Sequence, residues 1–168
     1  MQHITRRSAI HGAIGTLALA SFAGCLGDDD DEADDGDDAD DADNGDPEAR
    51  ADDFLSDVGA SLYDGTIEDE TGQDEVTIMV GADDDGMAFD PPAVRVDTGT
   101  TVIWEWTGEG GNHNIDPEPE SDWDDFGDDT LIDEEGHTHE HTFDEAGLAA
   151  YVCSPHAANS MYGAVIVE

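Results

Sequence analysis

Four side chains in the C-terminal third of the chain carry soft or borderline metal donors at a spacing that can close on one ion. Cys153-Ser154-Pro155-His156-Ala157-Ala158-Asn159-Ser160-Met161 reads Cys-x2-His-x4-Met, and the upstream run Gly110-Gly111-Asn112-His113-Asn114-Ile115 supplies a second imidazole. A thiolate, two imidazoles and a thioether match a trigonal His2Cys site with a long axial Met. Thiolate and thioether suit Cu(I), imidazole suits both copper oxidation states, and one geometry serving both needs little rearrangement when an electron moves. Zinc competes for Cys and His, but it has no use for a weak thioether, so the position of Met161 discriminates between the two metals. Taken singly, a buried Cys is more often a small core hydrophobe, and a lone His or Met is packing or surface. The metal reading rests on the four residues together: His113, Cys153, His156 and Met161.

Such a set needs a rigid frame, and the surrounding pattern has period 2. Val76, Ile78 and Val80 alternate with polar or outward positions; Ala93–Val96 and Thr100–Trp106 follow, the latter with Val102, Trp104 and Trp106 on one face. Thr138–Phe143, Ala149–Cys153 and Gly163–Val167 complete the strands, separated by Asp83-Asp84-Asp85-Gly86, Asp90-Pro91-Pro92 and Gly108–Gly111. Short strands with regular turn signals predict an all-β fold, an antiparallel sandwich or barrel. Phe54, Leu55, Val58 and Leu62 stand at helical spacing and predict a short helix over Ala51–Leu62 ahead of the sheet.

The segments before this domain, which spans residues 53–168, are of a different kind. Residues 1–24 carry Thr5-Arg6-Arg7-Ser8 and then the nearly uncharged run Ala9–Ala23. Arg6 and Arg7 before a modest apolar stretch read as a Tat export signal, too short for a spanning helix of about 20 apolar residues. Phe22-Ala23-Gly24-Cys25 resembles a lipobox in which Cys25 becomes a lipid anchor, although Phe22 departs from the usual aliphatic residue; ordinary cleavage nearby is the alternative. Residues 25–52 are an acidic tether. Asp28–Glu48 holds 14 acidic residues in 21, too little apolar area to offset the entropy of ordering, so disorder is predicted. There is no CxxC, which argues against a thioredoxin-type site or a zinc ribbon. Cys25 and Cys153 lie in such different settings that a disulfide between them is rejected.

The domain resembles the blue-copper cupredoxins of the plastocyanin type, and most closely the halocyanins of haloarchaea. The resemblance rests on Tyr63-Asp64-Gly65-Thr66, Thr71–Thr77, Phe89–Val96, Gly99–Val102, Trp104-Glu105-Trp106 and His141-Thr142-Phe143 in addition to the four donors, and it covers Tyr63–Glu168. It implies a cupredoxin Greek-key β-sandwich with one copper ion on His113, Cys153, His156 and Met161. It also implies that Asn114 and Ser154, each following a ligand, lock the ligand loops together. By the same resemblance the function is one-electron transfer by a monomeric carrier that is not an enzyme. His156 is the ligand nearest the surface, and Ala157, Ala158, Met161 and Tyr162 form a docking patch beside it. The implied partners are a membrane cytochrome complex or a terminal oxidase or reductase. A lipidated Cys25 would hold the carrier at the outer face of the cell membrane.

Competing functions remain at this point. Copper delivery or storage at the cell surface uses similar donors, though a buried four-ligand site argues for slow release. A binuclear copper enzyme would need a second cysteine in the domain. His137, His139 and His141 fall on one face of a strand and could form a second metal site. The preferred reading puts His141 in the family strand and the other two in an exposed turn.

Charge excludes more than it identifies. The chain of 168 residues has 45 Asp+Glu against four arginines (Arg6, Arg7, Arg50 and Arg95) and no lysine, a net charge of −41. Nucleic acid and polybasic lipid binding are excluded, because both need clustered Lys or Arg. Residues 28–53 hold 16 acids and residues 54–168 hold 29. The second group, spread over a folded domain, fits a solvent of high salt, where the Debye length is about 3 Å at 1 M. Dilution to low salt is therefore expected to expand the domain through self-repulsion. Small-angle scattering and denaturant midpoints across a salt series test this, and a salt-independent midpoint would refute it.

Overall fold

The computed structural model describes residues 45–168. Helix α1 (Pro47–Val58) opens the fold, followed by strands β1 (Glu68–Asp69), β2 (Glu75–Ala82), β3 (Ala88–Asp90), β4 (Ala93–Val96) and β5 (Thr101–Trp106). Then come β6 (His113–Pro117), β7 (Asp128–Ile132), β8 (Thr138–Thr142), β9 (Gly147–Val152), a 3-10 segment (Ser154–Asn159) and β10 (Tyr162–Val167). The strands form two sheets, one ordered β1-β4-β10-β9-β6-β7 and the other β3-β2-β5-β8. This is the expected cupredoxin sandwich, with one correction. The pairs β1–β4, β4–β10 and β2–β5 are parallel, because Greek-key connections bring non-consecutive strands side by side. The six strands foreseen from the sequence are present. The four others (β1, β3, β6 and β7) are short, polar or flanked by glycine and lack a period-2 signature.

The core between the sheets is built from the inward faces of both. Val76, Ile78, Val80, Val102, Trp104 and Trp106 come from one sheet, and Val94, Ile115, Tyr151, Val165 and Val167 from the other. Every residue of β9 is buried, so its run Gly-Leu-Ala-Ala-Tyr-Val does not alternate. The reason is a third layer. Helix α1 lays Ala51, Phe54 and Leu55 on the outer face of the six-stranded sheet, against Ala93, Leu148, Ala150, Ala164 and Ile166. Strands covered on both faces read as continuous apolar runs.

The helix corrects two expectations. It starts at Pro47, inside the segment assigned to the disordered tether (25–52). Asp46 caps it by accepting the Glu48 N–H at 3.1 Å, and Pro47 takes the first turn, where a missing N–H costs nothing. It ends at Val58, not Leu62, because Gly59 turns left-handed (φ 62°) and sends its N–H back to Leu55 and Ser56 carbonyls. Leu62 lies beyond that stop and is exposed. Both arginines of the described residues tie this helix down. Arg50 forks onto Asp122, with both N···O distances 2.9 Å, and reaches the Glu120 carbonyl at 2.6 Å. Arg95 on β4 pairs with Glu48 of the helix. Arg6, Arg7, Cys25 and the tether up to residue 44 lie outside the described residues. No helix among the described residues is long and apolar enough to cross a membrane.

Phe54→Ala should destabilise the domain by about 3 kcal/mol, the usual cost of emptying a buried aromatic position. Arg50→Gln should cost about 1–3 kcal/mol, because Asp122 loses its bidentate partner. Denaturant titration at high salt measures both, and unchanged midpoints would mean that α1 is not part of the cooperative unit.

Candidate metal centre

One end of the sandwich gathers the donors. Cys153 follows the last residue of β9, His113 opens β6, His156 interrupts the 3-10 segment with a non-helical backbone (φ −115°, ψ 17°), and Met161 immediately precedes β10. Sheet pairing sets their approach: β9 is antiparallel to both β6 and β10, with Asp116 opposite Val152 and Tyr162 also opposite Val152. The intervening loop closes on itself. The Cys153 N–H reaches the Met161 carbonyl at 3.0 Å, and the Met161 N–H reaches the His156 carbonyl at 3.3 Å.

Cys153 Sγ lies 3.4 Å from His113 Nδ1 and 3.4 Å from His156 Nδ1, and the two Nδ1 atoms are 3.1 Å apart. The centroid of a triangle with these sides lies about 1.9 Å from each corner (mean side over √3), close to the metal–nitrogen and metal–sulfur lengths of about 2.0–2.3 Å. Among the described residues, this is the one group of three or more His, Cys, Asp or Glu side chains placed to hold a metal. Cys153, His113 and Met161 are fully buried and His156 is half-buried. The donor set fits one copper ion.

The tautomer of His113 follows from its other nitrogen. Nε2 lies 2.8 Å from the Glu109 carbonyl, which can only accept, so Nε2 carries the hydrogen and Nδ1 keeps its lone pair for the centre. Glu109 is held in turn by Thr107, whose hydroxyl donates to the Gly81 carbonyl at 2.6 Å and accepts the Glu109 N–H at 3.2 Å. Close glycine contacts make this possible. A Cβ on Gly81 would fall 2.7 Å from the Glu109 carbonyl, and one on Gly110 would fall 1.9 Å from that of Gly86. Gly108–Gly111 reads as a turn in the sequence, but that this turn aims the Glu109 carbonyl at the His113 ring depends on two loops meeting in space.

Burial and neighbours set the protonation of the metal-free centre. Burial pushes the His113 imidazole below its ordinary range, against the Glu109 hydrogen bond, and the neighbouring His156 pushes it the same way as burial. Burial pushes the Cys153 thiol up, the backbone N–H groups of Asn114 and His156 pull it back, and the Asp116 carboxylate raises it further. The centre without metal therefore favours a neutral imidazole and a protonated thiol.

The expected lock between the ligand segments is present. The Ser154 N–H donates to Asn114 Oδ1 at 2.9 Å. Asp116, which the sequence reading passed over, accepts from Asn114 Nδ2 at 2.9 Å and from the Ser154 hydroxyl. Two expectations need correction. Met161 is fully buried and cannot line a docking patch beside His156, since it packs into the core between the sheets. His139 is not in an exposed turn: it lies on β8 opposite Trp104, with Nε2 2.7 Å from the Phe126 carbonyl. His137 meets Trp106 edge-on at 5.0 Å, and His141 lies 4.6 Å from the Phe143 ring. The three histidines pack along aromatic rings, and they form no metal-capable group among the described residues.

The sequence profile of the copper binding proteins of the plastocyanin/azurin family matches residues 76–168. Halocyanin of Natronomonas pharaonis is 59% identical over 168 residues, the whole of both chains. Plastocyanin of Scenedesmus fuscus is 30% identical over 99 residues, 56% of this chain and 100% of that one. Among solved structures, oxidised plastocyanin from Dryopteris crassirhizoma aligns with a TM-score of 0.47 and 20% identity, over 55% of this chain and 100% of that one. The chain belongs to the plastocyanin/azurin family of copper-binding proteins, as a halocyanin-like blue copper protein that carries electrons and is not an enzyme.

Proposed function

We propose that this chain carries single electrons through one copper ion held by His113, Cys153, His156 and Met161. The observation that carries the reading is the convergence of Sγ and two Nδ1 atoms within 3.4 Å of one another at the end of a sandwich core. Bound there, copper supplies a one-electron couple whose two states share one geometry. The protein's part is to hold the donors still. Cys153 and His113 are fixed by sheet ends, His113 by the Glu109 carbonyl, and the Cys153–Met161 loop by its own backbone bonds. His156, half-buried on its 3-10 segment, is the donor closest to solvent and serves as the electron port. Ala157, Ala158 and Tyr162 beside it suit a small, brief contact of the kind redox partners make.

The wider setting belongs to the same proposal. Residues 1–24 export the chain through Arg6 and Arg7, and Cys25 anchors it by lipid at the outer face of the membrane. An acidic tether from residue 25 to the cap at Asp46 holds a monomeric domain near a membrane cytochrome complex or a terminal oxidase or reductase. Tethering raises the effective concentration of carrier at such a partner.

Full-length protein loaded with Cu(II) should show an intense visible thiolate-to-copper band, absent from Cys153→Ser, and a reversible redox wave. No such band in the parent would overturn the reading; fast loss of Cu(I) with no reversible wave would favour copper delivery or storage. A second outcome follows from the raised Cys153 thiol. Metal binding must release that proton, so apparent copper affinity should fall about tenfold for each pH unit below the thiol pKa. Chelator competition across pH measures this, and a flat profile at neutral pH would show that the thiol is already ionised.

A further inference from the structure

Among the described residues, Asp116 is the one carboxylate joined to the bond between the two ligand segments. It sits on β6 opposite Val152, the residue before Cys153. Its Oδ2 accepts from Asn114 Nδ2 at 2.9 Å and from the Ser154 hydroxyl, while Asn114 Oδ1 accepts the Ser154 N–H at 2.9 Å. Three side chains thus close a ring between the His113 strand and the Cys153 loop. An amide has two faces, and here the choice between them is forced. If the Asn114 amide were flipped, its oxygen would face the Asp116 carboxylate and its NH2 would face the Ser154 N–H, two repulsive contacts in place of two hydrogen bonds.

Resting on the copper reading above, we infer that Asp116 is a positioning residue with two effects: it orients Asn114 to hold the Cys153 loop, and its fixed charge biases the centre toward the oxidised ion. A neutral acceptor could supply the first effect alone. The second needs a carboxylate, because a negative charge near the sulfur opposes the arrival of an electron. Asp124, Asp128 and Asp129 line the same surface concavity as Asp116, with no basic side chain among its lining residues to cancel the charge.

The test compares Asp116→Asn, which keeps an acceptor and removes the charge, with Asp116→Ala, which removes both. In metal-free full-length protein, amide hydrogen exchange at Ser154 should be at least tenfold faster in Asp116→Ala than in the parent, and near parental in Asp116→Asn. In copper-loaded protein, both variants should have a higher midpoint potential, by the equivalent of about a tenfold change in the oxidised-to-reduced ratio, or 59 mV for one electron. Unchanged Ser154 exchange in Asp116→Ala would overturn the orienting role, and an unchanged potential in Asp116→Asn would overturn the electrostatic one. A parent with no thiolate-to-copper band would instead refute the copper reading, while the metal-free exchange measurement would still decide the orienting role.

Discussion

A thiol and two imidazoles lie within 3.4 Å of one another at the edge of an apolar core, and the rest of the domain depends on keeping them there. Polar groups in such a place are costly unless each has a partner. The partners here are mostly backbone: the Glu109 carbonyl for His113 and the N–H groups of Asn114 and His156 for Cys153. Backbone partners move only if strands or loops move. The donor geometry therefore inherits the rigidity of the sheets, which is what a site serving two oxidation states requires.

That rigidity comes in layers. The two sheets bury the aromatic core, including Trp104 against Tyr151 and Phe126. Helix α1 covers the outer face of β9 and β10, the strands that lead into and out of the Cys153–Met161 loop. The turn after the helix also touches that loop: the Ser61 N–H reaches the Ser160 carbonyl at 2.8 Å and its hydroxyl reaches the Asn159 carbonyl at 3.1 Å. The N-terminal helix is thus a support for the metal loop as well as a lid on the sheet.

Charge and packing divide the surface between them. No Asp or Glu among the described residues is buried, so the acids of the domain stand at the surface, where dissolved salt can screen their repulsion. The two arginines of the described residues do a local task, pairing Asp122 and Glu48 to hold α1 in place. Asp122 shows how few cations suffice: one carboxylate takes the Arg50 fork and the Leu148 N–H at 2.7 Å.

The donors His113, Cys153, His156 and Met161 were legible because a metal constrains residue type and spacing, and both are written in the chain. So were β2 and β5, whose buried face imposes alternation, and β8, where half-buried histidines alternate with exposed residues. The start of α1 was hidden by its acidic composition, although Asp46-Pro47 is a capping signal. The roles of Glu109, Thr107 and Asp116 left no pattern, since a carbonyl or a carboxylate becomes a partner only when a distant segment arrives. Sequence alone determined the ligand chemistry, the sandwich class and the acidic surface, because these follow from residue type and period. Tertiary structure alone decided which nitrogen of His113 faces the centre, that Met161 is buried, and that Asp116 closes the lock, because each depends on contacts between segments far apart in the chain.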